Sequence, residues 1–425
     1  MRDTSLDLLG CPFCGARIAV VDNEALVNRN GMVEFGVLGC ECCAFPLVDG
    51  IPVLIANDVT RRAVRALEAG RPELALQDLL GLHGKRAEQF TALLARNTRA
   101  TYQEALKILS PDAEGDYFLY RFSDPTYLTA EALVRSVNQS HPTTTRPVLD
   151  LCGGSGHLTR VLANTDRPDS SIARETFVVD LHFWKLWLAT RFITPRCAAV
   201  CCNVDAPLPF TTDLFSIVVL TDAFPYVWHK RLCATEIMRV TAPNGVILLP
   251  HLHSTLGKNV SAGNTLTPGG YRDLFTPYNP KLFNDATLFE GLLEHQVVDL
   301  TQGLSPTELG QDPVLTLVAS RRKDYFRRQS VPSPLSVTGE LMVNPLYRIK
   351  LIDGKSILKL SFPTAEYEDE FGTCRRYLPD TMTIDADLTG HIEPSMLKVH
   401  YEELRRRRVL IDAPKFYSTA KGKLQ

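Results

Sequence analysis

The chain has 425 residues, of which 45% are hydrophobic and 22% are charged, and its formal net charge at pH 7 is −2. This length predicts two or three domains with separate cores, and the charge excludes a chain-wide positive field for nucleic acid, which leaves only a local patch open. No run of about 18 apolar residues and no signal-peptide pattern occurs, so we expect a cytoplasmic protein without a membrane span.

Eleven cysteines occur in the chain, and five of them lie within the first 43 residues. An odd number spread over so long a chain does not fit a disulfide framework. Cys-Pro-Phe-Cys ends at Cys14 and Cys-Glu-Cys-Cys begins at Cys40, and two such turns can supply the four thiolates of a structural zinc site. We predict zinc bound by Cys11, Cys14, Cys40 and Cys43, while a set with Cys42 stays open. A redox pair is disfavoured because no strand–helix pattern flanks the first motif.

The stretches LLGCPFCGARI and CECCAFPLVDGIPVLI resemble the small zinc-ribbon protein that activates several tRNA, rRNA and release-factor methyltransferases. The second stretch carries the aromatic-Pro pair of that family at Phe45-Pro46 and its Asp-Gly-Ile-Pro turn at 49–52. The crowded Cys-Glu-Cys-Cys departs from the usual spacing. The resemblance covers about residues 5–57, and it implies that residues 1–57 form a zinc ribbon that packs against a methyltransferase.

Residues 58–114 have the pattern of helices. Leu and Val recur at helical spacing in RRAVRALEAG and RPELALQDLLGL, and the pattern continues in AEQFTALLARN and TYQEALKIL. We predict a helical connector, for which the roles of spacer and of lid are equally supported.

A glycine-rich turn follows the next predicted strand. The segment VLDL spans Val148–Leu151, Gly153, Gly154 and Gly156 come after it, and HLTRVLAN has helical character. Glycines between a strand and a helix let a ligand approach the backbone N–H groups at the start of the helix. The turn therefore predicts a ligand site but does not identify the ligand.

Three further strands lead to an aspartate. TFVVD ends at Asp180, CCNV leads to Asp205, DLFSIVVL leads to Asp222, and VILLPHLH is a fifth strand. Strands that alternate with helices predict a parallel sheet covered on both faces, in a doubly wound, Rossmann-like α/β domain. Ligands bind at the carboxyl ends of such strands, where the glycine turn, Asp180 and Asp205 would meet.

NAD and S-adenosylmethionine are the two ligands that this arrangement suggests. The NAD fingerprint needs a small third residue beneath the pyrophosphate, at a position where this chain has Thr159. S-Adenosylmethionine has no phosphate and does not need that residue, so the sequence favours S-adenosylmethionine.

The motifs VLDLCGGSG, VVD, VDAPLPF and EIMRVTAPNG resemble class I S-adenosylmethionine-dependent methyltransferases of the quinone-methylase type, over about residues 115–322. Cys152 replaces the first glycine of that family's motif, and we expect it to keep a negative φ. The resemblance implies that Asp180 binds the ribose and Asp205 the adenine amino group. The predicted cofactor-binding residues are Asp150, Gly153, Gly154, Gly156, Asp180, Asp205, Ala206 and Asp222.

Methyl transfer needs an aligned acceptor, exclusion of water and, for a weak nucleophile, a base. The loop TDAFPYVWHK is one residue longer than the Asn-Pro-Pro-Tyr loop of amide and adenine N-methylases, and it offers Tyr226. His251 and His253 close the fifth strand, on one side by alternation. We predict His251 as the base and Tyr226 as a second catalytic residue; a histidine bonded to nearby backbone is the alternative for His251. A metal is not expected, because no third ligand is evident beside the two histidines.

Residues 335–425 differ in character from the preceding domain. LYRIKLIDGKSILKLSF alternates on both sides of Asp353-Gly354, which predicts a β-hairpin, and TMTIDADL adds a strand. We therefore predict a β-rich C-terminal domain, which caps the active site, forms a homodimer or holds a substrate. The arginines at 405–408 predict a solvated surface, with a phosphate or carboxylate contact as the alternative.

These features together predict transfer of a methyl group from S-adenosylmethionine to a small-molecule acceptor, a biosynthetic intermediate. The acidic balance, the absence of an Asn-Pro-Pro-Tyr loop and the additional C-terminal domain favour this prediction. An RNA or protein methyltransferase with its zinc-ribbon activator fused in cis is the first alternative, and a basic groove would favour RNA. A non-catalytic scaffold is the second alternative.

Overall fold

The computed structural model describes residues 1–96, 98–139, 145–163, 174–257, 263–331 and 337–418. The first 57 residues form an antiparallel sheet in which β3 pairs with β1, β2 and β4, and β4 pairs with β5. The elements of this region are α1 (Asp3–Leu6), β1 (Ala19–Val21), β2 (Val27–Arg29), β3 (Met32–Gly39), β4 (Ala44–Val48) and β5 (Ile51–Pro52).

Helices follow, as the sequence predicts for the connector. They are α2 (Asp58–Glu68), α3 (Pro72–Leu79), α4 (Lys85–Leu94), α5 (Tyr102–Leu109), α6 (Ala113–Tyr120) and α7 (Pro125–Gln139). Side chains cap the starts of α2, α5 and α6: Asn57 accepts from the backbone N–H of Thr60, Thr101 from that of Glu104, and Asp112 from that of Gly115. Among the described residues, no helix combines the length and the apolarity that a membrane crossing requires.

The central domain contains a seven-stranded sheet that confirms the predicted fold class. Its strands run in the order β11-β13-β10-β9-β6-β7-β8, all parallel from β10 to β8, whereas β13 is antiparallel to both of its neighbours. The elements are β6 (Val148–Leu151), α8 (His157–Ala163), β7 (Thr176–Asp180), α9 (Phe183–Leu188), β8 (Ala198–Cys201), β9 (Phe215–Val219), α10 (Lys230–Val240), β10 (Thr241–His253), α11 (Pro268–Leu274), β11 (Pro280–Asn284), α12 (Asp285–His295), β12 (Val297–Asp299) and β13 (Val314–Ala319).

Strand alternation divides the core of this sheet into two apolar layers. Val148 and Val178 face a layer shared with α5, α7 and α9, whereas Leu149 and Phe177 face a layer shared with α10, α11 and the ribbon. The Pro-Asn-Gly segment at 243–245 belongs to the irregular beginning of β10, where the register against β9 shifts.

The ribbon continues the edge of the central sheet. Val53 forms a parallel bridge with Cys201, and the backbone N–H of Leu54 donates to the carbonyl of Cys201 at 2.8 Å. A second contact joins the N–H of Gly10 to the carbonyl of Pro209 at 3.1 Å. The ribbon therefore covers the outer edge of β8 and contributes apolar side chains to the core beneath it.

The C-terminal region is β-rich, as predicted. Strands β16, β17 and β18 form an antiparallel sheet, with the predicted hairpin turn at Asp353 (φ 49°) and Gly354 (φ 74°), and β15 pairs with β19. The remaining elements are β14 (Arg328–Ser330), β15 (Glu340–Val343), β16 (Tyr347–Ile352), β17 (Lys355–Leu360), α13 (Ala365–Phe371), β18 (Thr381–Ile384), α14 (Pro394–Leu397), α15 (Tyr401–Arg406) and β19 (Leu410–Ala413).

A buried ion pair joins this region to the central domain. Glu131 of α7 accepts hydrogen bonds from Arg135 at 2.8 and 2.9 Å, and its second oxygen pairs with Arg408. Burial alone would raise the pKa of Glu131, but the charges and hydrogen bonds of Arg408 and Arg135 lower it to about 2. The carboxylate therefore stays ionised inside the interface.

Replacing Glu131 should destabilise the fold strongly. Glu131→Gln is expected to lower the free energy of unfolding by about 3–5 kcal/mol, because Arg408 is then buried without a counter-charge. The native pKa of Glu131 lies below its unfolded value of about 4.3, so its contribution is present above about pH 4.3 and is lost as the pH falls towards 2. Urea unfolding of both proteins at pH 7 and pH 3 measures this dependence.

A matched control removes an exposed partner of a neighbouring arginine. Glu403 lies 2.9 Å from Arg407, and both side chains are more than two-fifths exposed. Glu403→Gln should therefore cost less than about 1 kcal/mol. Equal losses from Glu131→Gln and Glu403→Gln would contradict a stabilising role for the buried pair.

Candidate functional site

The glycine turn between β6 and α8 is held by the end of β7. The backbone N–H of Gly154 donates to Asp180 Oδ2 at 3.0 Å. Gly154 (φ 54°) and Gly156 (φ 85°) have left-handed backbone, and a Cβ at Gly156 would lie 2.9 Å from the Cβ of Ala189. Glycine is required at Gly156 both by conformation and by the close approach of the neighbouring helix.

Asp150 lies beneath this turn. Its side chain is 1% exposed, it accepts the hydroxyl hydrogen of Thr159 at 2.6 Å, and burial raises its pKa to about 7. A Cβ at Gly153 would lie 2.7 Å from the Asp150 carboxyl group. Asp150 thus supports the turn from inside, and Thr159 is its hydrogen-bond partner. Direct contact between Asp150 and a cofactor stays a prediction.

Cys152 has a φ of 57°, so the expectation of a negative φ at this position is wrong. The left-handed conformation costs a residue with a Cβ about 1–2 kcal/mol. The turn nevertheless follows the path that a glycine would take, because the N–H of Gly153 donates to the carbonyl of Val179 at 3.0 Å. The cysteine is therefore strained within the turn, and the match to the family's glycine motif stays a prediction.

Asp180 ends β7 and has both carboxylate oxygens on the glycine-turn side of the strand. Its Oδ1 accepts from the backbone N–H of His182 at 2.9 Å, while Oδ2 accepts from Gly154. Burial would raise the pKa of Asp180, but His182 and Lys185 lower it, so the group is anionic at neutral pH. Each oxygen retains acceptor capacity for a hydroxyl group. Leu181, the next residue, is 47% exposed and offers an apolar surface beside it.

Asp205 and Ala206 lie in the turn that follows β8, the neighbour of β7. Asp205 comes four positions after the strand ends, and its Oδ1 accepts from the backbone N–H of His229 at 2.7 Å. Both residues are partly exposed. The structure thus brings Gly154 and Asp180 into contact and places Asp205 after the neighbouring parallel strand, at the same edge of the sheet.

A second polar group lies at that edge, after the end of β9 and in the last residues of β10. One ligand atom from each of Asp222, His251 and His253 lies within 4.8 Å of the others. His253 Nε2 is 3.4 Å from Asp222 Oδ1, and His251 Nδ1 is 3.0 Å from Asp285 Oδ2. The sequence analysis found no third polar residue beside the two histidines. The structure supplies it in Asp222, which follows the preceding strand, β9.

An irregular backbone creates this group. The register of β10 against β13 shifts between Leu249 and Leu252, and His251, which lies within that bulge, has a φ of 61°. Asp222 has a φ of 56°. Bulges redirect side chains next to functional sites. Here the ring centroids of His251 and His253 are 5.1 Å apart.

Asp285 controls the protonation of His251. Burial would lower the pKa of His251, but the hydrogen bond and charge of Asp285 raise it to about 9. This shift favours an imidazolium at neutral pH, which is the opposite of what a general base needs. The base role of His251 stays a prediction. Tyr226 is 54% exposed in the short turn after β9, and its catalytic role also stays a prediction.

Sequence reasoning missed three charged groups beside this edge. Arg121, from the start of the segment after α6, pairs with Asp124 and lies 4.8 Å above the ring of Tyr117. The charge of Arg121 acts on both Asp150 and Asp222, and the carboxyl group of Glu370, on α13, is raised in pKa by burial and by Asp222. No motif marks these residues: Arg121 and Asp124 are buried, whereas Glu370 is exposed and acts on the site through its charge.

The amino-terminal cysteines form a compact cluster. The sulfur atoms of Cys14 and Cys40 are 3.6 Å apart, those of Cys40 and Cys42 are 3.9 Å apart, and Cys11 lies within 4.8 Å of Cys14 and Cys40. Zinc–sulfur bonds of about 2.3 Å in a tetrahedron place sulfur atoms about 3.8 Å apart, so this donor set fits zinc. The sulfur atoms of Cys42 and Cys43 are 3.8 Å apart, and those of Cys40, Cys42 and Cys43 all lie within 4.8 Å of one another.

Comparisons with known proteins agree with this geometry. Residues 149–249 match the family model described as a methyltransferase domain. No curated protein sequence matches the chain. The central domain thus has the fold of class I S-adenosylmethionine-dependent methyltransferases.

Three solved structures illustrate the likeness. They are YcgJ from Bacillus subtilis (15% identity, 45% of this chain and 98% of that chain, TM-score 0.30), a SAM-dependent methyltransferase from Thermotoga maritima (11%, 52% and 100%, TM-score 0.32), and a chain from a methyltransferase complex of Haloferax volcanii that contains the Trm112 activator (15%, 53% and 99%, TM-score 0.34). These identities and TM-scores are too low to assign a substrate.

The strain at Cys152 can be measured by comparing two substitutions. Cys152→Gly should be more stable than Cys152→Ala by about 1 kcal/mol, because alanine keeps the Cβ that disfavours a positive φ and glycine removes it. Both variants lose the thiol, so their difference isolates the backbone term. Thermal and urea unfolding provide the comparison, and equal stabilities would show that the left-handed conformation costs nothing here.

Proposed function

We propose that this protein transfers a methyl group from S-adenosylmethionine to a small-molecule acceptor. The contact between the Gly154 N–H and the Asp180 carboxylate carries the proposal, because it joins the glycine turn to the acidic end of the next strand. In this arrangement the turn approaches the methionine part of the cofactor and Asp180 accepts the ribose hydroxyls. Leu181 offers an apolar face to the adenine, and Asp205 with Ala206 contacts its edge.

The residues beneath the turn support this cofactor over a dinucleotide. Thr159 occupies the position where a pyrophosphate site needs a small residue, and its hydroxyl bonds to the buried Asp150. The side chain thus serves the turn itself. A nucleoside without phosphates does not require the closer helix approach that a small residue would allow.

The chemistry asks the protein mainly for alignment. A lone pair of the acceptor forms a bond to the methyl carbon, the carbon–sulfur bond breaks, its electron pair stays on sulfur, and the acceptor proton leaves to a base or to solvent. We place the acceptor beside Tyr226 and the His251–Asp285 pair. Tyr226 follows β9, the strand next to β6, and His251 lies near the end of β10, the next strand along the sheet. Exclusion of water there favours the displacement.

The charges around the acceptor position support a small acceptor rather than a macromolecule. The carboxyl group of Glu370, which belongs to the C-terminal region, interacts electrostatically with Asp222, His251 and His253. Arg121 and Tyr117, from the connector side, interact electrostatically with Asp222. We infer from these contributions of two separate parts of the chain that a compact substrate is favoured over a duplex or a folded protein.

The cofactor assignment predicts a selective loss of affinity. Asp180→Ala should weaken binding of S-adenosylhomocysteine about 10–100-fold, which corresponds to the loss of one or two hydrogen bonds to a charged group. Isothermal titration calorimetry measures the change, and Asp22→Ala, which removes an exposed aspartate of the ribbon, is the control. Unchanged affinity in Asp180→Ala would refute the cofactor site.

The acceptor class can be tested with the same protein. Incubation with S-adenosylmethionine labelled in the methyl group and a cell extract, followed by separation of small molecules, RNA and protein, shows where the label goes. We expect label in the small-molecule fraction. Label confined to RNA or protein would overturn the acceptor assignment and leave the cofactor assignment standing.

We propose further that the ribbon binds structural zinc through Cys11, Cys14, Cys40 and Cys42. The sequence-based choice of Cys43 as the fourth ligand stays a prediction. We favour Cys42 because its thiol interacts with Cys14 of the first cysteine turn as well as with Cys40 of its own turn. When bound, zinc would cross-link the two cysteine turns and stabilise the ribbon against the edge of the sheet.

Serine substitutions separate the two choices. Cys42→Ser should lose zinc, whereas Cys43→Ser should keep one ion per chain in elemental analysis after gel filtration. Each variant removes one thiol of the same turn, so each is the control for the other. The reverse pattern would make Cys43 the ligand, and no zinc in the unaltered protein would refute the zinc site.

A further inference from the structure

We propose that Asp222, His251 and His253 bind a divalent transition-metal ion at the acceptor side of the site. The three residues offer one carboxylate oxygen and two imidazole nitrogens, all within 4.8 Å of one another. Such a mixed set of two histidines and one carboxylate suits ions such as Mn²⁺, Fe²⁺ or Zn²⁺ and leaves coordination positions open. This site is separate from the cysteine cluster of the ribbon.

The spacing of the donor atoms fits ligation of one ion. His253 Nε2 and Asp222 Oδ1 are 3.4 Å apart. Two ligands at about 2.0–2.2 Å from one ion are about 2.8–3.6 Å apart when they occupy adjacent coordination positions. The observed distance lies within that interval.

Asp285 orients His251 as an outer carboxylate orients a metal ligand. It pairs with Nδ1 of His251 at 3.0 Å, which leaves Nε2 as the nitrogen for an ion. Asp285 is itself fixed, because the hydroxyl of Thr316 donates to its other oxygen at 2.6 Å. A histidine that donates its second ring N–H to an anchored carboxylate is the common arrangement around metal ions.

Two of the three residues have an uncommon backbone conformation, which helps to bring the three side chains together. Asp222 and His251 both have a left-handed φ, and His251 lies in the bulge of β10. Each such conformation costs about 1–3 kcal/mol and persists where the surroundings enforce it. Glu370 adds a further carboxylate that interacts with the group, whereas Asp124 is paired with Arg121.

The metal would extend the proposed function, on which this step rests. An ion at this place would bind an acceptor through oxygen and lower the pKa of a bound hydroxyl group. It would therefore narrow the acceptor to a molecule with a hydroxyl or a pair of neighbouring oxygen atoms. The methyl group would then go to oxygen.

Binding of Mn²⁺ to the full-length protein tests the proposal. Mn²⁺ accepts nitrogen and oxygen ligands and disfavours thiolates, so it does not report on the ribbon. After dialysis against EDTA, a titration followed by electron paramagnetic resonance of free Mn²⁺ should show one ion bound per chain. His253→Asn and Asp222→Asn should abolish this binding, and Asp285→Asn should weaken it about 10–100-fold.

The control is His295→Asn, which removes an exposed histidine at the end of α12 and should leave Mn²⁺ binding unchanged. Should a ligand variant fail to fold, Asp285→Asn decides the question. No Mn²⁺ bound by the unaltered protein, or equal binding in the unaltered, His253→Asn and Asp285→Asn proteins, would overturn the proposal. Calorimetry with S-adenosylhomocysteine on the same samples tests the cofactor site separately, so either assignment can fail alone.

Discussion

The hydrogen bond from the Gly154 backbone to the Asp180 carboxylate is the interaction on which the proposed site depends. It ties the turn after β6 to the end of β7, and both ends belong to neighbouring parallel strands of one sheet. The turn can reach Asp180 only because its backbone enters the left-handed region at Cys152, Gly154 and Gly156. Asp150 then supports this path from below through Thr159. The strain in the turn and the raised pKa of the buried Asp150 thus both follow from bringing the turn into contact with Asp180.

The same sheet explains why a ribbon is part of the chain. An edge strand exposes unpaired backbone groups and invites pairing with other chains. Here the outer edge of β8 pairs with Val53 and Leu54, so the ribbon protects it. The segment that follows the cysteine turns therefore protects the edge of the sheet, which the cysteines themselves do not contact through these bonds. Metal at the turns would hold the ribbon strands in register with that edge.

The sequence predicted the parts of the fold that depend on local pattern. The apolar strands around the glycine turn, the connector helices and the hairpin at Asp353-Gly354 each have a period or a turn signal of their own. The left-handed φ of Cys152 was missed because it is imposed by contacts across the turn. Arg121 and Glu370 were missed because they reach the site from other parts of the chain, and no local pattern records such an approach. Asp180 and Asp205 could be predicted at the edge of the sheet because each follows a strand, and the carboxyl ends of parallel strands lie at one edge.

The end of the described chain connects the C-terminal region to the glycine turn. Tyr417 is buried, stacks on Tyr102 at 4.9 Å, and donates to the carbonyl of Leu119 at 2.8 Å. Its oxygen is 3.3 Å from His157 Nε2, His157 Nδ1 is 3.2 Å from the Ser155 hydroxyl, and that hydroxyl is 2.9 Å from Tyr102. Burial keeps the pKa of His157 low, so the ring is neutral. One of its nitrogens therefore donates a hydrogen bond and the other accepts one.

Ser155 lies inside the glycine turn, so docking of the segment around Tyr417 fixes one residue of that turn. A ligand that orders the turn and a C-terminal segment that orders Ser155 stabilise the same conformation. Binding of such a ligand would therefore favour docking of the C-terminal segment, and docking would favour binding. The coupling free energy would equal the free energy by which one of them pre-orders the turn for the other. This linkage gives the C-terminal region a physical part in the site even though it contributes none of the residues at the carboxyl ends of β6, β7 and β8.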